Sequence, residues 1–382
     1  MSSLRWSWPV LAAALAVLVP WARYAARPAH RVDLCVLDKT VPFANWLEHR
    51  SLYWLLDHLN VVKADGSNYA IERDYLGAYP PPVPGDPPQR TRDLAAVDVA
   101  ASRLVYLADT YGVYREDLES KERMAAALER SPKLYGGLTA EEAQAAAEAL
   151  PAGKTLVAEF NTLGSPTGAA ARTTLETALG VRWTRWIGRY FARLEDTNEV
   201  PRWMRNDYER EWHLPWKFQG PGYVLMQDDE HCEVLRVGDE ADAIGLTIER
   251  ERPIDPHLAG AADGVPYPYW FDIVEARDDA KALASFAWHL PPAGVERLKT
   301  RGLPERFPAV TRRAPPEGGV AWYFAGDFAD NPLDPKPVPF LGYLGFRHLV
   351  EGLKLAPSET AFYWRFYAPM METILSDNET PR

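Results

Sequence analysis

The stretch "TAEEAQAAAEALPAGKTLVAEFN" (Thr139 to Asn161) constrains the fold more than any other. Thr139 and Glu142 stand three residues apart at the head of an alanine-rich run, the spacing of a capping box, and Gly153 lies just past its end. A helix is therefore expected, followed at once by a short apolar strand, Lys154 to Ala158. The pattern recurs around it. "SRLVYLADTYGVY" (Ser102 to Tyr114) is a buried strand with its exit turn, and "AARTTLETALGV" (Ala170 to Val181) is a helix closed by glycine. "LVYLA" and "TLVA" show no polar alternation, as expected of strands covered on both faces. Strand, helix, strand, helix with short loops predicts an α/β layer, a mostly parallel sheet with helices on both faces.

The rest of the chain is placed around this unit. "VDLCVLDKTVP" (Val32 to Pro42) predicts a strand running into a loop, and "SLYWLLDHL" (Ser51 to Leu59) a helix with Ser51 as its N-cap. "GAYPPPVPGDPPQ" (Gly77 to Gln89) must be a loop, because proline continues neither a helix nor a central strand. From about 188 to 268 the chain is richer in Trp, Pro and charge and is read as an insertion with short strands such as "GYVLM" and "CEVLRV". "GVAWYFAGDFADNP" (Gly319 to Pro332) is a late strand that stops at Gly326-Asp327. The expected organisation is an N-terminal segment 1–30, an α/β domain 31–335 and a C-terminal helical segment 336–382.

Four predicted strands end in an acid: Asp38 in "VLDK", Asp109 in "YLADTYG", Glu159 in "VAEFN" and Asp327 in "FAGDF". Ligands of open parallel sheets sit outside the carboxyl ends of the strands, so parallel neighbours would bring these acids to one crevice. Acids at strand exits also cap helices and stabilise turns, so each has a structural alternative. Paired carboxylates can do acid–base or nucleophilic work on a glycosidic bond, or bind a hard cation through oxygen. Glu159, Asp109, Asp38 and Asp327 are the candidate catalytic residues. Asn161, Arg189, Tyr190, Trp186 and Tyr111 are candidate substrate contacts. His49, beside Arg50, is a candidate proton relay or anion contact, with a structural role as its alternative.

Composition narrows the partners. The net charge of -11 and the lack of a basic stripe argue against nucleic acid. Fourteen Trp, eighteen Tyr and thirteen Phe either fill a core or provide stacking platforms for sugars. Cys35 and Cys232 form no CxxC, which argues against a thiolate zinc site or a redox pair; a single disulfide between them is left open. GxGxxG, Walker, GxSxG and HExxH motifs are absent. No cofactor is expected and no metal ligand is assigned.

"WSWPVLAAALAVLVPWA" (Trp6 to Ala22) is 17 residues without a charge, the length of a short membrane span or signal-peptide core. No cut after Ala22, Ala25 or Ala26 leaves small residues at both required positions, so an uncleaved anchor is expected. Arg23, Arg27 and Arg31 after the run favour a cytoplasmic domain. The very short tail before it favours an exported one. The reading taken is a membrane-anchored, extracytoplasmic domain.

The order of segments over about 95–181 and 305–331 resembles the class I glutamine amidotransferase-like superfamily, with its flavodoxin-like fold. "GLTAEEAQAAAEALPAGKTLVAEFN" is similar to that family's helix and strand before the nucleophile turn, "TTLETALGV" to the helix after it, and "PAVTRRAPPEGGVAWYFAGDFADN" to the late strand of its non-amidotransferase branches. The nucleophile turn here holds Glu159, Phe160 and Asn161 and no cysteine, and Asp327 has no neighbouring His. The resemblance therefore implies the fold without glutamine chemistry. The expected function is a cell-envelope protein that acts on or binds a carbohydrate through a carboxylate-lined cleft, as in a glycoside hydrolase. The alternative is a non-catalytic sensor or assembly subunit of a membrane complex.

Overall fold

The structure, a computed structural model, describes residues 7–81, 83, 86–118, 131–228, 231–277, 279–316, 318–331, 333, 336–354 and 358–380. The acid-ended strands are neighbours. β1 (Leu34–Asp38), β2 (Leu104–Asp109), β3 (Thr155–Glu159) and β4 (Val320–Phe324) lie in the order β4-β3-β2-β1, all parallel. Every residue of β2 and β3 is buried, which is why both read as continuous apolar runs.

The helices tied to these strands are α1 (Ser7–Ala25), α2 (Leu47–His58), α3 (Ala140–Ala147) and α4 (Ala169–Leu179). The capping box of α3 forms as its spacing requires: Glu142 N donates to Thr139 Oγ1 at 3.1 Å and Thr139 N to Glu142 Oε2 at 3.0 Å. The same carboxylate accepts from Lys39 Nζ at 2.6 Å and so ties α3 to the loop after β1. Gly180 ends α4 with φ 72°, the left-handed cap that glycine takes without strain. α2 begins at Leu47, after Trp46 as its N-cap, and not at Ser51. Ser51 is buried within the helix, and its N–H reaches Ala329 O at 3.4 Å. The earlier start puts Glu48 and His49 in the first turn.

The mostly parallel, flavodoxin-like expectation is corrected. The four strands belong to a ten-stranded mixed sheet. Beyond β1 lie Leu76–Tyr79, parallel, and Arg90–Arg92, antiparallel. Beyond β4 lie Arg306–Arg313, Ala280–Trp288, Leu246–Arg250 and Val265–Pro266, each antiparallel to its neighbour. The reason is connection length. Arg306–Arg313 turns into β4 through residues 314–319 alone, too few for the crossover that parallel neighbours need. The region read as an insertion builds part of a second, antiparallel sheet of four strands: His231–Arg236, Gly222–Gln227, Val181–Phe191 and Phe271–Ala276. The two sheets are stitched beyond β4, where Asp272 N donates to Ala325 O at 2.7 Å and Asp327 N to Trp270 O at 3.0 Å.

The membrane helix is corrected as well. α1 spans 19 residues, but no described helix is long and apolar enough to cross a membrane. Ser7, Trp8, Trp21, two prolines, Arg23 and Tyr24 hold the mean hydropathy of the helix below that of a span. The last turn of α1 docks on the domain instead: Tyr24 is buried, its ring 5.4 Å from His58, and Leu341 N donates to Pro20 O at 3.2 Å. With no spanning helix, the membrane-anchored, extracytoplasmic placement loses its basis; residues 1–6 of that segment lie outside the described residues. Cys35 and Cys232 are both free thiols.

Asp272 marks the seam between the sheets. It is fully buried and accepts from Tyr323 OH, and burial pushes its pKa up from the ordinary 3.8 to about 7. Between those two values the folded protein keeps a proton that the unfolded chain releases, so stability falls as pH rises through this window. Asp272→Asn keeps an acceptor for Tyr323 and has no proton to lose. At pH 8 the variant is expected to be more stable than the parent by up to about 4 kcal/mol, about 3 pH units at ~1.4 kcal/mol each, with the advantage gone at pH 4. Thermal unfolding of both proteins across pH 4–9 checks this; equal pH slopes would overturn it.

Candidate functional site

The site is built where β1 to β4 end. Asp38, the last residue of β1, has no exposed surface. Its Oδ1 accepts from Thr40 N at 2.8 Å, and its Oδ2 lies 2.5 Å from His49 Nδ1. His49 Nε2 is 3.2 Å from Ile71 O, and a carbonyl only accepts, so Nε2 carries a hydrogen. Gly77 is required alongside: with φ 117°, a Cβ there would stand 1.7 Å from Asp38 O.

Asp109 ends β2. Its Oδ1 accepts from Thr40 Oγ1 and Tyr111 N, both at 2.5 Å, while Thr40 Oγ1 accepts from Gly112 N at 2.8 Å. Burial raises the Asp109 pKa to about 8; the Thr40 and Tyr111 bonds work against this, and the charges of Asp38 and Asp330 add to it. Glu159 ends β3 and is completely buried. Tyr106 OH donates to its Oε1 at 3.0 Å, and Phe328 N and Ala329 N donate to its Oε2 at 3.1 and 3.3 Å. Glu159 thus holds the turn after β4. Burial sets its pKa well above the usual carboxylate range, against the pull of those three donors.

That turn presents Asp327 and Asp330. Asp327 is 3% exposed and no hydrogen-bond donor meets its carboxylate among the described residues. Burial drives its pKa far up, reinforced by Asp330, Asp109 and Glu159 and opposed by Arg189. Asp330 is half-buried, and burial lifts its pKa to about 6 against the pull of Arg189 and Arg50. Glu48 is also half-buried, and burial with the charges of Asp330, Asp327, Asp109 and Asp38 raises its pKa strongly. One carboxylate oxygen each of Glu48, Asp327 and Asp330 lies within 4.8 Å of the other two. These groups cannot all ionise together unless cations offset them.

The second sheet contributes one wall. Arg189 lies 5.4 Å from the ring centre of Trp270, which stacks on Phe160 at 5.9 Å and 8°. Asn161 is buried, with Nδ2 3.3 Å from Ser165 O and Oδ1 unpartnered. Asp38, Asp109, Glu159, Asp327, His49 and Arg189 therefore belong to one electrostatic cluster. Tyr111 reaches it through its backbone N–H, its ring lying 4.8 Å from that of Tyr114. Trp186 and Tyr190 are instead packed in the second sheet, against His231 at 6.3 Å and Tyr223 at 5.3 Å. Sequence reasoning missed Glu48, Asp330 and Trp270. Two signals were present: Glu48 directly precedes His49, and Asp330 repeats an acid three residues after Asp327 in "GDFADNP".

No protein-family model matches the chain, and no curated protein matches it. Among solved structures it is similar to the cytoplasmic protein STM1381 from Salmonella typhimurium LT2, at 11% identity and TM-score 0.39 over 92% of this chain and 100% of that one. It is similar at 11% identity and TM-score 0.38 to the cytoplasmic protein STM3548 from Salmonella typhimurium, over 90% and 98% of the two chains. A beta-galactosidase from Bacillus circulans sp. alkalophilus matches at 11% identity and TM-score 0.33, over 78% of this chain and 30% of its own. These likenesses are too weak to assign anything. The amidotransferase-like resemblance is corrected: no family model or curated relative carries it, and the sheet is mixed. The cell-envelope and hydrolase labels drawn with it have no support either.

Proposed function

We propose that the acidic cluster beyond β1 to β4 binds a carbohydrate and performs acid–base chemistry on it. The observation that carries this reading is the convergence of Asp38, Glu48, Asp109, Asp327 and Asp330 with Arg189 over the Trp270 face. Carboxylates and a guanidinium suit vicinal hydroxyls. Asp109, protonated up to about pH 8, is the natural proton donor, and a neighbouring ionised carboxylate is the base. His49 keeps Asp38 oriented.

The test is a panel of oligosaccharides titrated into the full chain by calorimetry, with product analysis on every sugar that binds. Saturable binding that weakens by about tenfold or more in Arg189→Ala is expected, the scale of losing one charge-assisted contact. No binding across the panel would overturn the reading. Binding without turnover would keep the ligand class and remove the chemistry.

A further inference from the structure

We propose that Glu48, Asp327 and Asp330 together hold one hard divalent cation at the ends of β1 to β4. The first observation is geometric. Their ligand oxygens lie within 4.8 Å of one another, and oxygens bound to one Ca²⁺ at about 2.4 Å stand at most about twice that distance apart. Three carboxylates without sulfur or imidazole select Ca²⁺, Mg²⁺ or Mn²⁺ over softer metals. Glu48 and Asp330 are half-buried, so water can complete the coordination.

The second observation is Asp327 itself. Asp38, Asp109 and Glu159 are as deeply buried, and each is met by donors: Thr40 N with His49, Thr40 Oγ1 with Tyr111 N, and Tyr106 OH with two backbone N–H groups. Among the described residues Asp327 has none, although 97% of it is buried (3% exposed), and one of its oxygens lies within 4.8 Å of an oxygen of Glu48 and one of Asp330. One residue beyond Asp330, Asn331 is wholly buried, and among the described residues neither its amide oxygen nor its amide nitrogen is bonded. Buried polar groups ordinarily have partners, and a cation supplies one for Asp327. The connectivity fits. Glu159 fixes the turn through Phe328 N and Ala329 N, so Asp327 and Asp330 are presented from one rigid loop, and Glu48 comes from the first turn of α2. Asp38, His49 and Asp109 remain outside the ligand set.

This deepens the acidic-cluster reading and rests on it, but does not require the ligand to be a sugar. The full chain is treated with chelator, desalted and titrated with CaCl₂, MgCl₂ and MnCl₂, followed by calorimetry and thermal unfolding. One ion per chain and a raised Tm are expected with at least one of the three. Asp327→Asn and Asp330→Asn should each weaken binding by about tenfold or more, as loss of a carboxylate ligand does. Asp65→Asn, at an exposed turn, controls for loss of one negative charge and should bind as the parent does. If Asp327→Asn does not fold, the half-exposed Asp330 still decides. No saturable binding at millimolar metal, or unchanged affinity in Asp330→Asn, overturns the proposal. Metal binding with no sugar binding would leave it standing and remove the carbohydrate; sugar binding by metal-free chain with no ion bound would do the reverse.

Discussion

Glu159→Ala is expected to lower the stability of the protein by about 4 kcal/mol, whereas Glu159→Gln changes it by about 1 kcal/mol or less. Truncation leaves Phe328 N and Ala329 N, both in residues without exposed surface, with no acceptor. Each such loss costs about 1–3 kcal/mol, and the emptied volume adds a cavity. Glutamine avoids both penalties. Its carbonyl oxygen accepts from the two backbone N–H groups, its amide donates to Tyr106 OH, and the Tyr106 proton turns to Tyr367 OH, already 2.8 Å away. Glutamine also resembles the neutral carboxyl that burial enforces. Denaturant and thermal unfolding of the two variants decide the matter. An alanine variant within about 1 kcal/mol of the parent would show that the turn after β4 does not depend on this anchor. The alanine variant should also weaken cation binding, since Asp327 and Asp330 flank the released residues.

The parallel half of the sheet and its acids were legible because burial on both faces leaves an unmixed apolar signature. "LVYLA" and "TLVA" cannot be solvent-facing, and the acids that stop them stand out by contrast. The capping box was legible because it is a local device with fixed spacing. What failed was non-local. Val181–Phe191 alternates Arg182, Arg185 and Arg189 with apolar residues, and Arg306–Arg313 contains Pro308, so neither reads as a buried central strand. Their partners are set by pairings such as Arg313 with Ala321, which no periodicity within one segment encodes. The apolar N-terminal run failed differently. Absence of charge resembles a span, but tryptophan and proline lack the hydropathy of one, and the docking of Tyr24 on His58 depends on a second helix. Glu48 and Asp330 were hidden because one lies on a helix and the other in a turn. Only folding brings them to the strand ends.

Asp109→Asn is expected to reduce turnover of any sugar that the acidic cluster converts by about a hundredfold or more, with binding changed less than about tenfold. Asp109 Oδ1 is committed to Thr40 Oγ1 and Tyr111 N, while Oδ2 makes no hydrogen bond among the described residues. Oδ2 is therefore the atom that holds the proton. With its pKa near 8, most molecules carry that proton at pH 7, and the group still releases it readily. An asparagine whose oxygen takes the Oδ1 place keeps both structural bonds, so the fold and the loop from Asp38 to Thr40 should survive. Its amide nitrogen fills the Oδ2 place and cannot transfer a proton. The pH profile separates catalysis from positioning. In the parent, kcat should fall as pH rises through about 8, because the raised pKa keeps the acid form available below that value and depletes it above. In Asp109→Asn the residual rate should show no such limb. A variant that keeps the alkaline limb while losing activity would assign that limb, and the proton, to another carboxyl of the cluster. A variant with an unchanged rate would remove Asp109 from the chemistry and leave it as the acceptor that holds Thr40 and Tyr111 in place.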